Sequence, residues 1–395
     1  MSTMLRVPQK PPSAEKTGSP AMPWHPRMWH GMTMGAWLKT LARHRPAISP
    51  SRWVLAGTIS MSTPVNSALA ALQQMLHGRR IRSLAIDKAP IFILGHWRSG
   101  TTLLHELLVL DERHTYPNTY ACYTPRHFLV SRYLVPWWLK FLMPARRPMD
   151  NMKVGWNRPQ EDEFAMCNMG VPSPYLAFAF PNIPNIGSAY FDLKKISPAE
   201  LAEWKQAFVY FLKCVTLAGG GRRVVLKTPL HTCRVDLLRE IFPDARFVHI
   251  VRDPYVIFPS TVRTWQRLSE DEGLQRPTHE GLEEQVLANF ARMYAAFERS
   301  KPNIAPKRFC EVRYEDLIDD PVGRVREIYE NLELDGFAEI LPALQEKAAG
   351  MRGYKVNRHR LSREMHEQIT RRWADFIDRY QYADSAMDSE NTFST

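Results

Sequence analysis

Residues 91–104 of the chain read IFILGHWRSGTTLL. Ile91-Phe92-Ile93-Leu94 is an unbroken apolar run, short for a helix and without the alternation of a strand that has one wet face. It predicts a strand buried on both sides. From Thr101 the chain continues TTLLHELLVL, in which Leu103, Leu104, Leu107 and Leu108 share one helical face. Gly95 to Gly100 is therefore a strand-to-helix loop. Its two glycines let the backbone wrap with N–H groups turned inward, and the helix N-terminus adds partial positive charge. The unit predicts a site for a phosphate or sulfate.

Three more apolar runs follow, VVL at 224–226, FVHIV at 247–251 and RFCEVRY at 308–314, and they read as strands. The first two are nearly continuous in apolar residues and lead into helical patterns, as a parallel sheet covered on both faces requires. A polar cluster closes every run: GHWRSGTT, then KTPLH, then RDP, then YEDL. Ligands of open parallel sheets bind beyond the carboxyl ends of the strands, so the four clusters are expected on one rim. The predicted fold is α/β, a P-loop-like three-layer arrangement with a central, mainly parallel sheet flanked by helices.

Composition narrows the function classes. With 45% hydrophobic and 24% charged residues, the 395-residue chain reads as globular. Its 52 basic against 41 acidic residues give a net charge of +11, which favours anionic ligands without choosing among them. Basic residues are spread along the chain and no nucleic-acid motif accompanies them. Cys122, Cys167, Cys214, Cys233 and Cys310 are scattered, with neither a disulfide framework nor zinc spacing, which points to a reducing, cytoplasmic setting. The N-terminal MSTMLRVPQKPPSAEKTGSP lacks the apolar run of a signal peptide and reads as disordered. Residues 128–144, FLVSRYLVPWWLKFLMP, are short for a bilayer and interrupted by Arg132, Pro136 and Lys140. They read as a helix over a substrate pocket, with Trp137 and Trp138 at a membrane interface as the second reading. The expected organisation is a partly disordered, helical N-terminal extension over 1–88 and a catalytic domain over 89–395.

Measured against the nucleotide loop G-x-x-x-x-G-K-[ST], the glycine spacing fits and Thr102 fills the hydroxyl position, but Thr101 replaces the lysine. The cation has moved to Arg98, inside the loop. GHWRSGTTLL closely resembles the 5'-phosphosulfate loop of the sulfotransferase superfamily, and its arginine is more like the tyrosylprotein branch and many bacterial members. The resemblance implies that Arg98, Ser99, Gly100, Thr101 and Thr102 hold the 5'-phosphosulfate of 3'-phosphoadenosine 5'-phosphosulfate (PAPS). It also implies that Arg252 and Ser260, eight residues apart, grip the 3'-phosphate. Guanidinium and hydroxyl suit that duty. Asp253 and Pro254 between them suit a helix cap and first turn. The late segment Arg352 to Arg358 stands where the family keeps a basic loop over the 3'-phosphate, which implies contacts from Lys355 and Arg358. Tyr314-Glu315-Asp316-Leu317 matches a family segment of structural role. The likeness spans roughly residues 89–380.

Lys227, in KTPLH, resembles the family lysine beside the transferring group, where a cation stabilises growing charge. Small-molecule members place a base histidine two residues further on, a position filled here by Pro229, and His231 reads as a histidine at a helix start. An acceptor hydroxyl must still lose a proton. The acidic cluster Glu161-Asp162-Glu163 supplies the candidates, with Glu161 and Glu163 foremost, against the alternative that these carboxylates serve the helix dipole. The expected reaction is in-line sulfuryl transfer from PAPS to a hydroxyl or amine, without a metal. The aromatic segments YLVPWWLKFLMP and PSPYLAFAFPN favour an apolar small-molecule or lipid acceptor. Two rivals stand: a small-molecule kinase, opposed by the missing loop lysine, and a non-catalytic module bound at a membrane surface.

Overall fold

A computed structural model describes residues 27–44, 47–133, 155–351 and 361–382. The N-terminal stretch before Arg27, Trp137 and Trp138, Lys355 and Arg358 lie outside the described residues.

Five strands form one sheet: β1 (Ile91–Leu94), β2 (His114–Thr115), β3 (Arg223–Lys227), β4 (Arg246–Val251) and β5 (Phe309–Arg313). Their order is β2-β3-β1-β4-β5 and every pairing is parallel. The four expected strands are present, and Tyr314 opens a helix rather than closing β5. The two-residue strand β2 is new, being too short to leave a periodic signal.

Side chains alternate across a strand, so each run divides between two cores. Phe92, Leu94, Leu226, Phe247 and Val251 face one, while Ile91, Ile93, Val225, Val248, Ile250 and Val312 face the other. Burial on both faces is what makes the runs read as continuously apolar. The second core is closed by the helices Thr101–Leu108, Pro321–Asn331 and Phe337–Met351. The first is larger and takes in the helices Pro198–Ala218, Pro254–Glu272 and Leu282–Ser300.

The residues ahead of the sheet join this larger core. Met28, Trp29, Met32, Trp37, Leu55 and Ile59 are buried in the same cluster as Phe92 and Phe247. Trp29 Nε1 donates to the carbonyl of Glu272 at 2.7 Å, and the Met28 N–H donates to the Glu272 carboxylate at 3.0 Å. Glu272 ends the helix that starts at Pro254, so the N-terminal helices Met34–His44 and Trp53–Ser83 are tied to an element of the rim.

Register positions that rim. Ile93 lies opposite Lys227, Leu94 opposite His249 and Val251 opposite Arg313. The strands β3, β1, β4 and β5 thus all end towards one edge of the sheet, with β4 and β5 running two residues beyond β1. β1 sits where the strand order reverses, with β3 on one side and β4 on the other.

Candidate active site

The loop after β1 is held from three directions. Gly95 has φ +144°, and a Cβ there would lie 2.7 Å from the Ile250 carbonyl oxygen and from Ser99 Oγ. Its N–H donates to Thr232 Oγ1 at 2.7 Å. Gly100 has φ +99°, and a Cβ would stand 2.3 Å from the ring of Tyr314. Only glycine meets both the dihedral and the close approach. Arg98 takes φ +69°, a left-handed conformation that costs a non-glycine residue on the order of 1 kcal/mol. That turn presents its guanidinium to Ser260, whose Oγ accepts from Arg98 Nε at 2.9 Å. Ser99 is buried, its hydroxyl donating to the His96 carbonyl at 2.8 Å to close the turn. Thr101 is buried and Thr102 half-buried in the first turn of the helix.

Arg252 meets the same loop. Its Nη1 donates to the Arg98 carbonyl at 2.9 Å and its guanidinium lies 4.0 Å over the ring of Tyr314. Asp253 caps the following helix by accepting from the Tyr255 N–H at 2.8 Å, with Pro254 in the first turn. Glu315 accepts from the Asp253 N–H at 3.2 Å. The YEDL segment thus forms a floor: Tyr314 lies under Gly100 and Arg252, and Glu315 steadies the turn after β4. Arg98, Arg252 and Ser260, 162 residues apart at most, are thereby brought together.

The acidic cluster opens the helix Asp162–Asn168, and the segment after β3 meets each of its members in turn. Lys227 Nζ donates to Glu161 Oε1 at 2.7 Å. His231 Nε2 lies 2.9 Å from Asp162 Oδ2, and Thr228 Oγ1 donates to Asp162 Oδ1 at 2.9 Å. Arg234 Nη1 donates to Glu163 Oε2 at 2.6 Å. Accessibility separates them: the side chain of Glu161 is 15% exposed, those of Asp162 and Glu163 1% and 0%. Burial pushes the Asp162 carboxyl up, but His231 and the Thr228 hydroxyl outweigh it and the group ends below its ordinary range. Glu163 faces inward and braces Arg234, which also donates to the Phe191 and Tyr190 carbonyls. His231 is fully buried and holds Asp162.

Tyr175 lies in the aromatic segment PSPYLAFAFPN, but its partnership with Glu161 was not legible. Its hydroxyl donates to Glu161 Oε2, and it packs against Phe164 and Phe178 with ring centroids 4.9 and 5.1 Å apart. Trp97 Nε1 donates to the Tyr175 hydroxyl at 3.4 Å, and Trp265 lies edge-on to Trp97 at 5.1 Å. The aromatic segment around 175 therefore backs the half-buried Glu161 carboxylate. Nothing in local spacing links it to Glu161. Thr232, Arg234 and Tyr314 were likewise missed in these roles, each joining residues far apart in the chain.

Comparison with known proteins follows the same line. A model of the sulfotransferase family matches residues 90–339. The chain is 43% identical over 359 residues to the omega-hydroxy-beta-dihydromenaquinone-9 sulfotransferase Stf3 of Mycobacterium bovis, covering 91% of this chain and 92% of that one. The protein of the same name from Mycobacterium tuberculosis matches to the same extent. Among solved structures, sulfotransferase STF9 from Mycobacterium avium superposes with a TM-score of 0.63 at 18% identity, covering 88% of this chain and 96% of that one. At that identity the likeness is one of fold.

Two predictions follow from the buried charges. Glu163→Gln leaves Arg234 charged and unpaired, and urea unfolding is expected to show a loss of about 3–5 kcal/mol; a loss below about 1 kcal/mol would mean that the pair is not holding the helix start. The second concerns acid. His96 and His105 are completely buried, and burial pushes each imidazole down to about 3, with Lys227 adding to the effect at His105. Burial also takes His127 down to about 4. The folded chain keeps these groups neutral where the unfolded chain takes up protons, so stability present above about pH 6.5 is lost as the pH falls towards 3. Glu272, pushed up to about 7 by burial, offsets one such proton over part of that range. Unfolding free energies at stepped pH should fall by up to about 1.4 kcal/mol per pH unit for each histidine. His105→Asn should remove one such share, and an unchanged slope would discount its burial as a cause.

Proposed function

Because this chain belongs to the sulfotransferase family and is an enzyme that transfers a sulfuryl group, we propose that PAPS is the donor and that the residues at the ends of β1, β3 and β4 hold it. The donor set fits: Arg98, Arg252 and Lys227 are cations, Ser260 offers a hydroxyl, and the loop joins a helix N-terminus. Gly95 and Gly100 leave a cradle of backbone where a Cβ would collide. Among the described residues no group of three or more His, Cys, Asp or Glu stands together to hold a metal ion. When bound, PAPS supplies the sulfuryl group, whose bond to the 5'-phosphate breaks as a bond to the acceptor oxygen forms.

The residues then divide the work. Arg98, Ser99, Gly100, Thr101 and Thr102 frame the 5' end through the loop, and Arg252 with Ser260 takes the 3'-phosphate. Arg98 and Arg252 are already bound to one another through the Arg98 carbonyl, so the two ends of the nucleotide are gripped by one rigid unit. Glu161 takes the acceptor proton at its carboxylate. It is the member of the acidic cluster with access to solvent, and the donors Lys227 and Tyr175 aim it. A proton arriving on Glu161 cancels the charge that Lys227 was paired with. That leaves the ammonium to stabilise charge gathering on the sulfuryl oxygens and the leaving phosphate. The Lys227–Glu161 pair at 2.7 Å is the observation that carries this reading. Glu163, sealed against Arg234, is a scaffold residue in this scheme.

The Mycobacterium bovis relative is named for an omega-hydroxylated dihydromenaquinone, an isoprenoid lipid ending in a hydroxyl. We propose an acceptor of the same class here, an apolar lipid with a terminal hydroxyl. The aromatic residues behind Glu161 support it: Tyr175, Phe164, Phe178, Trp97 and Trp265 offer rings and no net charge.

Calorimetry with adenosine 3',5'-bisphosphate tests the donor. Arg252→Ala is expected to weaken binding by about tenfold to a hundredfold, with ADP weak in both proteins; equal affinity of the parent for the bisphosphate and ADP would overturn the 3'-phosphate assignment. Glu161→Gln tests the base. It should lower kcat about a hundredfold to ten-thousandfold while bisphosphate affinity stays as in the parent, whereas parallel losses in both would make Glu161 a binding residue.

A further inference from the structure

The helix Trp53–Ser83 is firmly seated on one side and bare on the other. Its inner side buries Leu55, Ile59, Asn66, Gln73 and Ile81. Asn66 Nδ2 donates to the carbonyl of Met32 at 2.9 Å, and Gln73 Nε2 donates to the Tyr210 hydroxyl at 3.0 Å, so the rotation of the helix is set. Outward point Val54, Met61, Val65, Leu72, Met75 and Leu76, from 37% exposed at Leu72 to 78% at Met61. At 3.6 residues per turn these six fall within an arc of about 100°. No charged residue occurs between Arg52 and Arg79. The neighbouring helix Met34–His44 lies alongside, with the Met34 N–H donating to Ser67 Oγ at 2.9 Å, and adds Met34 and Leu38 at 48% and 56% exposure.

Such a stripe needs a partner, since exposed apolar patches of this kind mark interaction sites. Charge says which. Arg27 to Ile86 contains seven Arg and one Lys and not one Asp or Glu. The stripe runs into Arg79, Arg80 and Arg82, all exposed and without an ion pair among the described residues. Lys39 and Arg43 are already paired with Glu203 and Glu200, but two copies meeting stripe to stripe would bring together Arg79, Arg80 and Arg82 of both with no carboxylate from either helix Trp53–Ser83. A surface that is both apolar and anionic answers both features. No helix among the described residues is long and apolar enough to cross a membrane. A helix of this length, amphipathic by virtue of its seat on the protein and ending in arginines, suits the interface plane instead.

We propose that the outer side of the helices Trp53–Ser83 and Met34–His44 docks flat on an anionic lipid surface, with the methionine, valine and leucine side chains in the acyl boundary and Arg79, Arg80 and Arg82 among the headgroups. The binding is a property of this face, separate from donor and acceptor sites, and is read without either ligand.

Flotation of the full chain with vesicles tests it, using phosphatidylglycerol and phosphatidylcholine mixtures against phosphatidylcholine alone. The parent is expected to float with the anionic vesicles and to be released by high salt. The double variant M61E/M75E, on exposed positions, should lose binding by at least about tenfold. R79Q/R80Q/R82Q should lose about fivefold per arginine on anionic vesicles. Transfer to a short, water-soluble acceptor should be unchanged in M61E/M75E, which shows an intact fold. A parent that stays with the unbound fraction overturns the proposal, as does flotation of M61E/M75E equal to the parent. So does a dimer in sedimentation velocity that M61E/M75E converts to monomer without any vesicle binding, because the stripe would then belong to a second copy.

Discussion

Ile93 of β1 lies opposite Lys227 of β3, and Leu94 lies opposite His249 of β4. This register is set by side chains on both faces of a fully covered sheet, and a slip of one residue would exchange the two cores. Everything at the rim inherits it. The loop after β1 stands between the ends of β3 and β4, so the ammonium of Lys227 comes from one side and the guanidinium of Arg252 from the other. Tyr314, at the end of β5, then lies under both Gly100 and Arg252. The site is a consequence of parallel strands that all end towards one edge of the sheet.

The chemistry rests on how charges are buried beside those ends. Three consecutive acids, Glu161, Asp162 and Glu163, meet Lys227 at the end of β3, His231 in the short 3-10 turn after it and Arg234 just beyond that turn. Isolated buried charges are costly, and buried pairs specify position more than they add stability. Two of the pairs are sealed and act as pins between the helix start and the segment after β3. The third opens to solvent at Glu161, so the same local device that fixes the backbone also leaves one carboxylate beside one ammonium at the rim. Tyr175 adds a second donor to that carboxylate and brings the aromatic wall with it.

The N-terminal helices join this arrangement through packing rather than through a tether. Trp29 and Met28 bond to Glu272, at the end of the helix that carries Ser260. The bare stripe of Trp53–Ser83 therefore has one orientation relative to the sheet. For an enzyme with a lipid acceptor, that rigidity would let a surface-bound protein keep its rim in a constant attitude to the layer that holds the acceptor.

The loop, the four longer strands and the cap at Asp253 were all legible in the sequence, because each depends on a few neighbouring residues. Continuous apolar runs report burial on both faces, and paired glycines report a turn that side chains would obstruct. The choice among Glu161, Asp162 and Glu163 was not legible. Successive residues at a helix start point about 100° apart, and the direction that meets Lys227 depends on packing against a segment 66 to 71 residues away. Tyr175 on Glu161, Tyr314 under Gly100 and the sharing of one core by residues before and after the sheet are of the same kind. So is the outward stripe: the sequence held its apolar residues, but a helix shows which of its sides is bare only once the rest of the molecule has covered the other.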